Sequence, residues 1–190
     1  MMPAGSGVHI PDAPQHRHVS WLACLHRAKA LKEASFLLVV PSPLDPAFTS
    51  LLCSSYRQLL GKPLIAEAQG ETDPGFWLYH DAPYAVLAQN ACADPAFVYA
   101  NITAQRYFEY SWEEFSGLPS RLSASSGDRE ARDRLMAGVL RDGYVEGYRG
   151  LRESKSGRRF WIDDVTIWNL SGTDGDIQGQ AALIPARSAA

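Results

Sequence analysis

The sequence predicts an α+β domain: a five-stranded antiparallel sheet, short helices on one of its faces, and a flanking helix ahead of it. Three observations point there. From Tyr144 to Pro185, three runs with the two-residue period of strands are separated by turn residues. From Pro83 to Ser123, two short apolar runs joined by a turn lead straight into helix patterns. Upstream, Asp45–Gly61 carries one apolar stripe at helical spacing.

The 190 residues suffice for one domain with a sizeable core and an extension, and 46% hydrophobic with 21% charged residues is an ordinary globular balance. A net charge of −3 gives no pull toward nucleic acid or an anionic membrane. The three cysteines, Cys24, Cys53 and Cys92, are odd in number and far apart. They make no disulfide framework and fit a reducing compartment. No apolar run approaches the roughly 20 residues that span a bilayer. Trp21–Leu25 and Phe36–Val40 are interrupted by Arg27, Lys29, Lys32 and Glu33, so no signal-peptide core forms. A cytoplasmic location is expected.

In chain order, residues 1–44 read as an extension. Met1–Ser20 is expected to be disordered, and Trp21–Val40 is a helical stretch isolated by Pro41-Ser42-Pro43. Residues 45–75 hold the flanking helix and a polar connector. Asp45 suits the N-cap, Pro46 the first turn and Gly61 the C-terminal cap. Phe48, Leu51, Leu52, Tyr56, Leu59 and Leu60 form its stripe, which a sheet or a second chain must cover. Residues 76–186 hold the main domain. A helical turn at Phe76–Asp81 precedes the first strand, Pro83–Gln89. Asn90 and Asp94-Pro95 supply turn chemistry, and Phe97–Ala100 is the second strand. Asn101 caps a helix over Ile102–Tyr110. Ser111 with Glu114 forms a capping box for the next helix.

After a loop over Leu118–Gly127, Asp128–Arg141 is helical. Leu135, Met136, Val139 and Leu140 are expected to be its buried stripe. Arg129, Glu130, Arg132, Asp133 and Arg134 are expected to be its solvated face. Three strands follow: Tyr144–Glu153, a hairpin at Ser156-Gly157, Arg158–Leu170, a second turn over Gly172–Asp176, and Ile177–Pro185. Strict alternation puts Phe160, Ile162, Asp164, Thr166, Trp168 and Leu170 on one face of the long strand. Both of its faces are bulky, so both are expected to be covered, by the short helices on one side and the flanking helix or a second subunit on the other. The tail beyond is small and polar.

Several stretches resemble landmarks of the PAS fold: FVYANITAQRYFEYSWEEFSG, LRDGYVEGYRGLRESKSGRRFWI, and DGDIQGQAALI with its Asp-Gly turn and strand glycine. SYRQLLGKPL, DAPYAVLAQNACADPAFVYANITAQRYFEYSWEEFSGLPSRLSA and GRRFWIDDVTIWNL resemble the MEKHLA domain family, a PAS-related group. Together they cover roughly Ala47 to Ile184 and correspond to its bacterial stand-alone type. The hexapeptide Met-Glu-Lys-His-Leu-Ala, a homeodomain and a zipper do not occur, so no transcription-factor role carries over. The resemblance implies a PAS-like sensory or interaction module that binds a small molecule or protein partner and forms a homodimer.

The same resemblance frames the cofactor expectations. Covalent flavin chemistry of the light-sensing PAS type needs an Asn-Cys-Arg motif where this chain has GLPSRLSA, and Cys92 sits instead in the turn between the first two strands. A haem of the PAS type needs a histidine on the long helix, and Asp128–Arg141 has none. His9, His16, His18 and His26 lie in the extension and are read as a polar tail rather than a metal site. No nucleophile–base motif, zinc motif or phosphate loop occurs. Candidate ligand-facing residues are Arg106, Arg121, Ser123, Asp164 and Gln180, with Trp112 and Trp168 as walls. Arg121 is singled out because a guanidinium grips a carboxylate bidentately. Two alternatives stand beside this reading: a small cone-fold hydrolase or isomerase with Asp164 as acid–base, and a ligand-free dimerisation domain; the rival reading of the candidate residues makes Arg121 and Asp164 a structural ion pair and the tryptophans core.

Overall fold

The computed structural model describes residues 42–66, 73–124, 129–172 and 175–190. The expected disorder of Met1–Ser20, the helix over Trp21–Val40 and the four histidines of the extension lie outside the described residues, as does the cap expected at Asp128.

Helix α1 (Pro46–Leu60) starts and stops where its caps dictate. The Asp45 carboxylate accepts from the Ala47 N–H at 2.8 Å, and Gly61 adopts the left-handed conformation at φ 70°. Helix α2 (Pro74–His80) has Asp73 as N-cap, bonded to the Phe76 N–H at 3.0 Å. Strands β1 (Ala85–Asn90) and β2 (Phe97–Ala100) form an antiparallel pair. Their turn is held by the Asn90 side chain, which accepts from the Cys92 and Ala96 N–H groups. Helices α3 (Ile102–Phe108) and α4 (Trp112–Phe115) and a 3-10 turn at Ser120–Ser123 then lead to α5 (Arg129–Asp142). The capping box at Ser111 and Glu114 is present.

Strands β3 (Tyr144–Glu153), β4 (Arg159–Ser171) and β5 (Ile177–Ile184) complete an antiparallel sheet of order β2-β1-β5-β4-β3. A sixth strand, β6 (Ala186–Ala189), follows Pro185 and pairs with β4 from Phe160 to Asp163. Four residues without a period gave no sign of it, although its side chains add to the backbone pairing: Ser188 donates to Asp163 Oδ2 and Arg187 to the Tyr107 carbonyl, both at 2.9 Å.

The sheet separates two cores. On one face α1 and α2 bury Leu52, Tyr56, Leu78 and Tyr79 against Val86, Ala88, Tyr99, Trp168, Leu170 and Ala181. The Tyr56 ring meets Trp168 edge-on, with centroids 4.9 Å apart. The chain's own flanking helix therefore covers this face. On the other face, α3, α4 and α5 pack Phe108, Phe115 and Val139 against Leu87, Phe97, Phe160, Ile162, Val165 and Ile167.

Strict alternation fails in β4. Tyr148 pairs with Val165 and Gly150 with Ile162, so a two-residue step on β3 meets a three-residue step on β4. In the next step Val145 pairs with Ile167, so three residues on β3 meet two on β4 and the extra residue now falls on β3. Two bulges thus compensate each other, with Asp164 at φ 54° and Gly147 at φ 70°. Phe160 and Ile162 consequently join Val165, Ile167 and Asn169 on the face toward α5. Thr166, Trp168 and Leu170 face α1.

Candidate functional site

Three amides stand side by side on adjacent strands between the sheet and α5. Gln89 of β1 is opposite Gln180 of β5, and Gln180 is opposite Asn169 of β4. All three are buried, so each polar atom must find a partner inside the protein. Asn169 donates to the carbonyls of Val139 and Leu140 at 2.9 and 3.2 Å, near the end of α5. Gln180 donates to Asn169 Oδ1 and to the Met136 carbonyl, both at 3.1 Å. Gln89 donates to Gln180 Oε1 at 3.1 Å. The free end of this ladder is Gln89 Oε1, which accepts from Nη2 of Arg132 at 3.0 Å.

Arg132 is 8% exposed. It also donates to Ser120 Oγ at 2.9 Å and to Asp133 Oδ1 at 3.3 Å. The helix stripe that buries Met136 and Val139 continues back through Arg132, four and seven residues earlier. The expectation that Arg132 belongs to the solvated face is therefore wrong, and so is the expectation for Leu140, which is exposed. Burial lowers the proton affinity of the Arg132 guanidinium, the like charge of Arg152 lowers it further, and Asp133 opposes both. A guanidinium stays charged through such shifts.

Arg152, on β3, is 6% exposed. It donates to the Leu151 carbonyl at 2.9 Å and to the Tyr148 hydroxyl at 3.4 Å, and its guanidinium lies 5.5 Å from the Tyr148 ring centroid. Gly150 lies between the two on the same strand. A Cβ there would come within 2.3 Å of the Tyr148 hydroxyl and 2.8 Å of Arg152 Nη1, so the glycine makes the room in which they meet. Gly179, on β5, does similar work beside the amides: a Cβ there would strike the Gln89 carbonyl oxygen at 2.1 Å.

Arg132, Arg152, Gln89, Gln180 and Ser123 line a cavity of about 50 Å³, whose remaining wall is mostly apolar and includes Phe108, Ile162 and Ala182. Among the described residues neither cysteine nor histidine lines it. This volume is far below that of drug-sized and cofactor sites, roughly 300–1,000 Å³. A wider groove of about 650 Å³ runs between α1 and residues 63–66 and 73–75. It runs beside residues outside the described set, and among the described residues no buried charge converges on it, so the smaller cavity is the better candidate.

Of the residues singled out in the sequence, the cavity brings together Ser123 and Gln180. Trp168 lies on the opposite face of the sheet, and Asp164 is exposed, because the β4 bulge reverses the alternation that would have placed them together. Arg121 is exposed and held bidentately by Asp94 at 3.0 and 3.1 Å, so its ion-pair partner is Asp94 rather than Asp164. Arg106 is exposed on α3, and Trp112 packs at the edge of the second core. Sequence reading missed Arg132, Arg152, Gln89 and Ser120. The helical spacing from Arg132 to Met136 and Val139 was the available signal.

The fold and the matched stretch agree on a family. A crystal structure of the PAS domain of a protein from Colwellia psychrerythraea is similar, with a TM-score of 0.50 and 17% identity over 59% of this chain and 90% of that one. An RNA-binding light-oxygen-voltage receptor is similar with a TM-score of 0.54 and 20% identity over 67% of this chain, which spans about a third of the receptor (36%). At these identities the likeness is one of fold. No curated protein matches the chain. The MEKHLA domain family matches residues 46–188, from the first turn of α1 into β6, and with its PAS-like sheet order the chain belongs to that family.

Proposed function

We propose that this chain is a non-catalytic sensory and interaction module whose inner cavity holds a small molecule, and that occupancy is passed to a protein partner or a second copy. The observation that carries this reading is the buried amide ladder ending in the cavity. Polar groups withdrawn from water and converged on a small space are the usual anatomy of a ligand site. The acid–base alternative has lost its geometry, since Asp164 is exposed and outside the cavity. Among the described residues no cluster of three or more histidine, cysteine or acidic side chains could hold a metal, and no helix is long and apolar enough to cross a membrane. The widely spaced, odd set of cysteines supports placing the protein in the cytoplasm.

The test is thermal unfolding of the full chain against a panel of small molecules, alongside Ala182→Leu, which fills the cavity from β5. A ligand that raises the wild-type midpoint and not that of the filled variant supports the reading. Equal shifts in both proteins, or none in either, argue against it. Light scattering on the full chain, with and without that ligand, reads the step to a second copy.

A further inference from the structure

Among the described residues the cavity is lined by two cations and no anion. Arg132 and Arg152 both line it, and both are more than nine-tenths buried. Among the described residues Arg152 makes no ion pair. The one carboxylate paired with Arg132 among those residues is Asp133, at 3.3 Å, whose side chain is 66% exposed and well solvated. The rest of the polar lining is neutral: Gln89, Gln180 and Ser123. Burying a charge is expensive unless an opposite charge or a full set of hydrogen bonds replaces water. Here two like charges are brought to one small space.

Geometry adds to the charge argument. Gly150 is the device that lets Tyr148 and Arg152 converge. The amide ladder, tied at one end to the α5 carbonyls, fixes Arg132 at the other. Guanidinium groups immobilised in this way are pre-organised for an oxyanion, which accepts the parallel N–H bonds a fork presents. The size of the cavity, about 50 Å³, limits the guest. It is room for roughly three to five waters, or one anion of four or five heavy atoms.

The geometry points to a compact oxyanion, a short-chain carboxylate or inorganic phosphate, as the class of ligand, held between Arg132 and Arg152. This assignment rests on the ligand-binding reading above and specifies its chemistry. Bound there, the anion supplies the missing counter-charge, accepts from both guanidiniums, and ties α5 to β3 across the second core.

The test uses the full chain, at constant ionic strength, with acetate, inorganic phosphate and acetamide as probes. Acetamide has nearly the shape of acetate without its charge. Acetate or phosphate is expected to raise the unfolding midpoint in a saturable way, and acetamide to leave it unchanged. Arg132→Gln and Arg152→Gln are each expected to weaken that binding roughly tenfold to a hundredfold, the range for losing a charge-assisted hydrogen bond. Arg152→Met, removing an uncompensated buried cation, is expected to raise the midpoint of the ligand-free protein, whereas loss of a merely structural arginine lowers it. Should Arg152→Met fail to fold, Arg152→Lys keeps the charge and is expected to keep weakened anion binding. Acetamide binding as well as acetate, or anion binding undiminished in both glutamine variants, overturns the assignment. A neutral guest blocked by Ala182→Leu, with no anion response, overturns the anion and leaves the cavity reading standing. No response to any guest overturns both.

Discussion

Asn101 shows how much one side chain settles. It is fully buried, and its oxygen accepts from the Val86 and Ala104 N–H groups at 3.0 and 2.9 Å. Its nitrogen donates to the carbonyls of Leu78 and Tyr84 at 3.1 and 2.9 Å. One amide thus caps α3 and stitches it to α2 and β1. Asn101→Ala is expected to destabilise the fold by about 2–4 kcal/mol in urea unfolding, since it strands several buried backbone groups at once. A loss below about 0.5 kcal/mol would show that water replaces those bonds. The capping role was legible because Asn ends a strand and opens a helix; the other bonds join segments distant in sequence and were not. Arg132 is the reverse case. Its spacing to Met136 and Val139 announced the buried face, and its charge argued for water. Charge decided a sequence reading that periodicity should have decided.

At the scale of elements, the β4 bulge rearranges the site. Nothing in Arg158–Leu170 marks the bulge except an aspartate, a residue that tolerates the left-handed region. The clearer cue was on the neighbouring strand, at Gly147. Asp164→Gly is expected to be neutral or stabilising by up to about 1 kcal/mol and to leave acetate binding unchanged. Asp164→Val is expected to cost about 1–2 kcal/mol, because a β-branched residue resists positive φ. If Asp164→Gly abolishes binding, the bulge carboxylate belongs to the site after all.

A second element-scale link joins α3 to the β3–β4 hairpin. Glu109, at φ 62°, accepts from the Ser154 hydroxyl at 2.8 Å and from the Ser156 side chain, and pairs with Arg158 at 2.6 Å. The hydrogen bonds from Ser156 and then Ser154 hold its carboxyl below the usual glutamate range. A depressed pKa means that stability is present above the unfolded glutamate pKa, about 4.3, and is lost as pH falls through the lower folded value. Acid unfolding curves of wild type and Glu109→Gln should therefore converge toward low pH and separate at neutral pH, the wild type being the more stable. Parallel curves across that range would remove Glu109 from the link.

At the scale of the molecule, one sheet serves two cores with different tasks. The face under α1 is packed mainly with aromatic and aliphatic side chains, whereas the face under α5 combines an apolar wall with an amide ladder and two cations. Leu52→Ala in α1 is expected to cost about 2–5 kcal/mol in urea unfolding without changing acetate affinity, because Leu52 is fully buried on the face away from the cavity. A chain starting at Glu71 is expected to bare Trp168, bind a hydrophobic dye and lose cooperative unfolding, so oligomeric state must be read on the full chain. The order of elements and the covering of both sheet faces were legible from periodicity and caps. Long-range pairing, the bulges and the inward turn of two arginines depend on which strands become neighbours, and no local pattern encodes that.

The most direct measurement is NMR of the arginine side-chain Nε–H groups in the full chain during titration with acetate. Resonances of Arg132 and Arg152 should shift together and saturate, while exposed Arg121 and Arg106 stay in place, and acetamide should move none of them. Movement confined to exposed arginines, or no movement of Arg132 and Arg152, would contradict an anion seated in the inner cavity.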